Sequence, residues 1–210
     1  FDEGNAFVAR MDASREWVWA TQIRNENELF VIDMLVTPEN NIHLAVGFTG
    51  DVELNNTILE ASTDQSLLIA SFNENGESLS HVKTDTIGGI EPTGSLCIDG
   101  LGATYVAATF TGELVFNETN LLSDGPSGIA VARYSEFGWD WALTAGGLGE
   151  DRVWDCDGRS SSGVEIVGEF SGNASFGSLY TGQSNGTDLF VAEVSQSGGW
   201  VDIVTGGGDG

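Results

Sequence analysis

Positive charge is scarce in this chain. Its 32 acidic residues stand against only six arginines and one lysine, which gives a net charge of −25 over 210 residues. Such a surface would repel the phosphates of DNA and RNA and the headgroups of an anionic membrane. We therefore predict no nucleic-acid partner. Because the acidic residues are spread along the chain as a solvated surface, we expect an extracellular or cell-surface protein.

Long apolar runs, prolines and cysteines are also few. The sequence contains no apolar run of about 18 residues, so it predicts no transmembrane segment. Three prolines beside 29 glycines indicate many tight turns. Two cysteines are too few for a disulfide framework or for a zinc site with four cysteine ligands.

A repeat of about 60 residues runs through the whole chain. The short apolar segment Phe7–Arg10 recurs three times, and its aligned alanines are spaced by 61, 62 and 60 residues: Ala9, Ala70, Ala132 and Ala192. A second marker, Phe-Thr/Ser-Gly, keeps the same spacing at Phe48, Phe110 and Phe170. A Trp-x-Trp-Ala motif and a Gly-Gly pair recur in register with both. These coincidences indicate tandem copies of one structural unit.

Each repeat has the pattern of β-strands. In the third repeat, four apolar-rich runs of five to seven residues are bounded by Gly, Asn, Asp or Ser: 129–134, 139–144, 152–156 and 164–170. No segment carries a helical stripe of about ten residues or more. We predict an all-β chain of β-propeller blades, each of four antiparallel strands. A tandem of small β-sandwiches is the alternative, although an immunoglobulin-type sandwich needs about 100 residues.

The markers divide the chain into three full repeats and a partial fourth, at approximately 1–62, 63–124, 125–183 and 184–210. Known propellers close with about four to eight blades. We therefore expect an array that is open at both ends and can self-associate through its open blade edges. Both a fragment of a longer chain and assembly between chains would account for such an array.

The motifs of the repeat resemble those of a known family. They stand at Ala6–Arg10, Trp139–Ala142, Gly146–Asp151 and Val167–Gly177. Their order is similar to the seven-bladed β-propeller repeats of bacterial and archaeal secreted and surface proteins, over essentially the whole chain. The similarity is lowest in the second repeat, where residues 79–82 replace the tryptophan motif. The resemblance implies a propeller and an extracytoplasmic setting, but no particular activity.

Two acidic motifs suggest metal binding or catalysis. The Gly-Gly-x-Gly-x-Asp stretch is similar to a calcium-binding pattern, but that pattern works where nonapeptides stack directly, so we prefer a turn between strands. Asp155 and Asp157 would lie on one face of a strand and could bind a cation or act as acid and base. Asp157-Gly158 is also a hairpin-turn signal, which is the interpretation we prefer. We predict no catalytic residue, no metal and no cofactor.

The aromatic, sulfur and imidazole groups have structural interpretations too. The Trp-x-Trp motif could form a sugar-binding platform, but its recurrence at one blade position favours packing between blades. Cys97 and Cys156 fall on nearly the same strand of adjacent blades. A bridge needs Cα atoms within about 7 Å, which adjacent blades allow only near the propeller axis, so we expect free buried thiols. His43 and His81 sit at different repeat positions and build no triad or metal site.

Four Asn-x-Ser/Thr sequons are candidate N-glycosylation sites: Asn55, Asn117, Asn173 and Asn185. The first two align with Gly177. Because asparagine and glycine share this position, we predict a turn with a positive φ there.

The sequence favours a non-enzymatic extracellular scaffold or binding module that presents propeller loops to a protein or glycan. A structural subunit of a cell-surface layer or filament is the first alternative. A glycoside hydrolase that uses a pair of carboxylates is the second.

Overall fold

The computed structural model describes residues 5–61, 64–161 and 163–208. The chain is all-β and antiparallel, with 69% of its residues in strands, and the described residues contain no helix. The strands are β1 Asn5–Met11, β2 Trp17–Asn25, β3 Leu29–Val36, β4 Ile42–Phe48, β5 Val52–Leu54, β6 Thr57–Leu59, β7 Ser66–Phe72, β8 Ser78–Ile98, β9 Thr104–Phe116, β10 Thr119–Leu122, β11 Gly128–Ser135, β12 Gly138–Gly147, β13 Asp151–Gly158, β14 Val164–Ser171, β15 Ala174–Phe176, β16 Leu179–Tyr180, β17 Thr187–Ser195 and β18 Gly199–Gly206.

The described strands form three hydrogen-bonded sheets. Their orders are β1-β2-β5-β6, then β16-β15-β12-β11-β9-β8-β7-β4-β3 with β10 paired to β9, then β13-β14-β17-β18. The prediction of an antiparallel all-β chain is confirmed. The predicted set of separate four-stranded blades is wrong in strand count and arrangement, because the middle sheet has ten strands and short hairpins add strands to the pattern.

The middle sheet is continuous because β8 runs from one group of strands into the next. Its residues 78–85 pair with β7, and its residues 85–98 pair with β9. Gly88 and Gly94 adopt φ values of 133° and 153°, and a register shift between Ile90 and Gly94 bends the strand. The Gly-Gly pair of the second repeat therefore lies inside a strand and not in a turn.

Each group of four strands joins the second half of one predicted repeat to the first half of the next. We call β3, β4, β7 and residues 78–85 unit 1. Unit 2 is residues 85–98 with β9, β11 and β12, and unit 3 is β13, β14, β17 and β18. Strands β1 and β2 form a half-unit. The markers fix the period of the repeat but not the point at which a sheet begins, which explains this difference.

Apolar clusters lie between neighbouring units. The half-unit packs on unit 1 around Val8 and Phe48, unit 1 on unit 2 around Ile69 and Val106, and unit 2 on unit 3 around Phe190. Successive side chains of a strand point to opposite faces of the sheet. Consequently β7, which lies between two neighbours, is buried along its whole length.

Short hairpins reach from each unit to the one before it. The hairpin β5–β6 pairs with β2, the end of β9 with β10 pairs with β8, and β15–β16 pairs with β12. Every unit thus extends the last strand of its predecessor, which adds backbone hydrogen bonds to the apolar contact between them.

A disulfide joins the first strands of units 2 and 3. Cys97 on β8 and Cys156 on β13 are bonded, with their Cα atoms 5.9 Å apart. The expectation of free thiols is wrong, because the stacking brings these two first strands within the distance that a bridge requires.

Candidate functional site

The glycine-rich acidic motif closes a turn. A Cβ on Gly147 would collide with the carbonyl of Asn173, where β12 meets β15. Asp151 accepts a hydrogen bond from the Gly147 amide at 2.7 Å, and burial raises the pKa of this carboxyl. Gly146 and Gly147 are the last residues of β12 and pair with β15, so the turn that we predicted is confined to residues 148–150 between β12 and β13.

The other acidic motif lies on an open strand surface. Asp155 and Asp157 are both exposed on β13. The hairpin turn that we preferred at Asp157-Gly158 is wrong, because both residues pair with β14 inside the strand. Across the residues that the structure describes, no group of three or more His, Cys, Asp or Glu side chains is arranged to hold a metal ion. In the same residues, no helix is long and apolar enough to span a membrane.

The first tryptophan of each motif packs between units, with one exception. Trp139 is 8% exposed and donates to the Lys83 carbonyl of unit 1 at 3.0 Å. Trp200 makes the same contact with the Thr144 carbonyl of unit 2 at 3.2 Å. The predicted packing between neighbours is confirmed for both. For Trp17 it is wrong, because this side chain is 66% exposed on a face that no other described strand covers.

The second tryptophan of the first repeat works together with an arginine. Trp19 Nε1 and an Arg10 guanidinium nitrogen both donate to the carbonyl of Glu74, at 2.9 and 3.0 Å. The indole lies against Gly76 in the same turn, where a Cβ would come within 2.6 Å of the ring. We call this arrangement an Arg–Trp clamp.

The third repeat builds the same Arg–Trp clamp. Trp141 Nε1 and Arg133 donate to the carbonyl of Gln196 at 3.0 and 3.4 Å. A Cβ on Gly198 would come within 2.9 Å of the indole, and the Tyr105 ring flanks it with centroids 5.9 Å apart. Each clamp therefore fastens one unit to the β-turn of the next.

A cleft of about 250 Å³ lies between units 1 and 2. His43 on β4 and Ser71 on β7 face each other across the strand pair, with Nδ1 and Oγ 3.0 Å apart. Burial lowers the pKa of His43, so its imidazole is neutral at pH 7. This pair is not visible in the sequence, because the two residues are 28 positions apart and become neighbours only through strand register.

The described residues give the His43–Ser71 pair no third group that would orient the imidazole. A serine nucleophile needs a base that a third group orients, whereas among the described residues the His43 ring hydrogen-bonds only to Ser71. The buried hydroxyl of Tyr134, which lines the cleft, has no hydrogen-bond partner there. Thr104 donates to the Tyr134 carbonyl at 2.9 Å. Burial raises the pKa of Tyr134, although the Thr104 side chain acts to lower it, and the raised pKa keeps the hydroxyl protonated at neutral pH.

Asp99 is a buried carboxylate that ties unit 2 to unit 3. It accepts hydrogen bonds of 2.8 to 3.0 Å from Leu101 N, Ala103 N, Tyr105 Oη and Gly163 N. Burial alone would raise the pKa of Asp99, but these four donors outweigh it and hold the pKa below its ordinary value. The Asp99 carboxylate therefore has a structural role, since it holds units 2 and 3 together.

Five of the seven cationic side chains contact carboxylates: Arg24, Lys83, Arg133, Arg152 and Arg159. Arg152 contacts Glu91 at 3.0 Å, Glu150 at 3.2 Å and Glu169 at 3.5 Å. The hydrogen bond to Glu91 is the main cause of the raised pKa of Arg152. Because such pairs absorb the positive charge, the remaining surface is strongly acidic.

The four sequon asparagines, Asn55, Asn117, Asn173 and Asn185, are all exposed. Asn55 and Asn117 have φ values of 50° and 51°, and Gly177 has 62°, which confirms the predicted positive φ. The Asn117 side-chain amide donates to the Trp139 carbonyl at 3.1 Å. Glycosylation of the four residues stays a prediction.

Comparison with the models of known protein families finds none that matches this chain, and comparison with curated proteins finds no match either.

Proposed function

We propose that this chain is a non-enzymatic scaffold or binding module of the propeller type, which presents its loops and end faces to a protein or glycan. Units 1, 2 and 3 follow one another in sequence order, and each neighbouring pair buries an apolar cluster. Antiparallel four-strand groups packed face to face in this way are how propeller blades are built. This construction supports the blade interpretation and, with it, the resemblance to bacterial and archaeal propeller repeats.

Exposure of two sheet faces supports the proposal most directly. Phe7 on β1 is 69% exposed, whereas Leu68 and Phe190, at the same repeat position, are fully buried. On unit 3, Val191 is 45% exposed, whereas its counterpart Val131 is fully buried. Contiguous apolar surface of this kind marks a protein-interaction site.

The two faces are complementary, which favours a structural subunit as the second candidate function. We call Phe7, Met11 and Trp17 the head face, and Leu189, Val191 and Val204 the tail face. In the contact between units 1 and 2, the counterparts of the tail face pack on the counterparts of the head face. A second copy could repeat this contact head to tail. A head-to-tail contact that does not close produces a filament.

An extracellular or cell-surface location fits the disulfide of the chain. Disulfides persist in oxidising compartments and are rare in the cytosol, and Cys97 is bonded to Cys156. The net charge of −25 disfavours nucleic acid as a partner.

Light scattering coupled to size-exclusion chromatography tests the role of the end faces. We expect species larger than 22.2 kDa whose proportion rises with protein concentration, and we expect Phe7→Asp to reduce them. Leu148→Asp is the matched control, since this exposed apolar residue lies in the loop between β12 and β13. If Leu148→Asp reduced the larger species as strongly, the head face would not be the contact.

A glycan array and a glycosidase assay test the binding role separately from assembly. The binding module predicts glycan retention without turnover, whereas the structural subunit predicts ordered polymers in electron micrographs and no retention. Hydrolysis of a glycoside would contradict the proposed lack of enzymatic activity. A monomer that retains no glycan would contradict the structural subunit and the glycan-binding form of the module.

A further inference from the structure

The second repeat lacks both side chains of the Arg–Trp clamp. In the other two clamps, arginine and tryptophan are directly opposed across a strand pair. At that position the second repeat has Ser71 opposite Ser80. A turn stands at the place of the acceptor turn, with Glu136 four residues after its aligned alanine, as Glu74 and Gln196 are, although this turn is one residue shorter than that of Gln196.

The missing side chains leave an open space of matching shape. In the two clamps the indole covers a turn glycine so closely that a Cβ on Gly76 or Gly198 would come within 3 Å of the ring. At Gly138, the corresponding turn glycine, which lies in the third repeat, no atom lies within 4 Å of an added Cβ. The cleft of about 250 Å³ reaches the same turn through Glu136, with Ser71 and Ser80 also among its lining residues.

Residues that line the cleft offer contacts similar to those around the tryptophan of an Arg–Trp clamp. His43 takes the repeat position of Tyr105, the residue whose ring flanks Trp141, and its ring lies 5.6 Å from that of Tyr134. Independently of the repeat comparison, the Tyr134 hydroxyl is buried at this cleft without a hydrogen-bond partner among the described residues. Buried polar groups almost always have a hydrogen-bond partner. We therefore expect a ligand of this cleft to carry a polar group as well as a flat ring.

We propose that this cleft binds an indole-type ring that bears an N–H donor and a cationic amine, in place of the clamp that the repeat lacks. The ring lies over Gly138 beside His43, and its N–H donates to the Glu136 carbonyl. The amine takes the place of the arginine, and the strongly negative surface favours it. The site is independent of the head and tail faces, so it goes beyond the function proposed above.

Isothermal titration with tryptamine tests the proposal, with two analogues as chemical controls. Indole lacks the amine, and 2-(1-naphthyl)ethylamine keeps the amine and a fused aromatic ring but lacks the N–H. We expect tryptamine to bind, and each analogue to bind at least about tenfold more weakly, because a site built to accept a hydrogen bond rejects a ligand without the donor. No binding of tryptamine at millimolar concentration, or equal binding of the naphthyl analogue, overturns the proposal.

Variants that fill the cleft test whether tryptamine binds there. Ser80→Trp rebuilds the clamp tryptophan and should abolish tryptamine binding, and Ser80→Leu fills part of the space and keeps the test valid if the larger variant does not fold. Ser14→Trp, in the exposed turn after β1, is the matched control and should bind as the wild type does. Unchanged binding in a folded Ser80 variant overturns the assignment.

The ligand chemistry has two sources, and a further titration separates them. A short peptide with adjacent tryptophan and arginine residues carries both groups of the clamp. Tighter binding of this peptide than of tryptamine identifies a protein segment as the occupant, whereas weaker binding identifies a free aromatic amine. Failure of tryptamine to bind overturns the proposal whatever the peptide does, and leaves the assembly and glycan experiments unaffected.

Discussion

Tryptophan side chains at one position of the repeat lie in different surroundings. Trp139 is enclosed between units 1 and 2 and touches the edges of Phe116 and Tyr134, whereas Trp17 lies on the uncovered head face. The repeated motif predicts the packing position. It does not show which neighbour is present, because that depends on the order of the units and not on the local sequence. Trp141, the second tryptophan of the motif in the third repeat, is only partly buried.

Replacing these two tryptophans separates packing from exposure. We expect Trp139→Ala to lower the free energy of unfolding by roughly 3–5 kcal/mol, since the buried indole leaves a cavity and an unpaired Lys83 carbonyl. Trp17→Ala is the matched control and should change the free energy of unfolding by less than about 0.5 kcal/mol. Urea unfolding of both variants as monomers measures the difference. Equal costs would contradict the position assigned to the head face.

Asp99 should make stability depend on acidity. Its pKa is lowered in the folded chain, so the stability it contributes is full above the ordinary aspartate pKa of about 3.9 and is lost as the pH falls through the lowered value. We expect Asp99→Ala to cost roughly 2–4 kcal/mol at neutral pH, because buried donors lose their acceptor. In urea titrations at several pH values, the gap between wild type and variant should narrow below pH 4. A gap that is constant down to acidic pH would contradict this role.

At the level of elements, long strands follow from the sequence and short ones do not. The four runs assigned in the third repeat correspond to β11, β12, β13 and β14 within a few residues. The hairpin β15–β16 was missed because its strands have only three and two residues, too few for an alternating pattern. The Gly-Gly pair inside β8 was misleading for another reason. Glycine there permits close contact of Gly88 with the Thr111 carbonyl of the paired strand and does not mark a turn.

Replacing a glycine by alanine tests whether the glycine pairs are needed for close contact between strands. Gly147→Ala should destabilise the chain by roughly 1–3 kcal/mol, since the added Cβ collides with the Asn173 carbonyl and pushes β15 from β12. Gly206→Ala is the matched control, because an added Cβ there meets no atom within 4 Å, and it should cost less. Neither glycine has a positive φ, so the comparison isolates steric contact. Similar midpoints for the two variants would show that the hairpin can move away freely.

For the whole molecule, stability is expected to differ from end to end. Units 2 and 3 are joined by an apolar cluster, by Asp99 and by the disulfide. The half-unit has only one covered face, and β1 pairs with no described strand except β2. The period of the repeat was visible in the sequence. The permuted grouping of strands and the disulfide were not, since both depend on which first strands come together when the sheets stack.

Removing the disulfide measures how much the covalent link contributes to the stack. The two cysteines are 59 residues apart, and closing a loop of that length in the unfolded chain is worth roughly 4 kcal/mol in the chain-entropy description. We expect the double variant Cys97→Ala/Cys156→Ala to lose about that much in urea unfolding. Reductant should destabilise the wild type by a similar amount and leave the double variant unchanged, because that variant has no bond to break. Hydrogen exchange should then show faster opening of β13 and β14, while β4 and β7 keep their protection. A wild type that is insensitive to reductant after unfolding and refolding in its presence would contradict a stabilising bond between units 2 and 3.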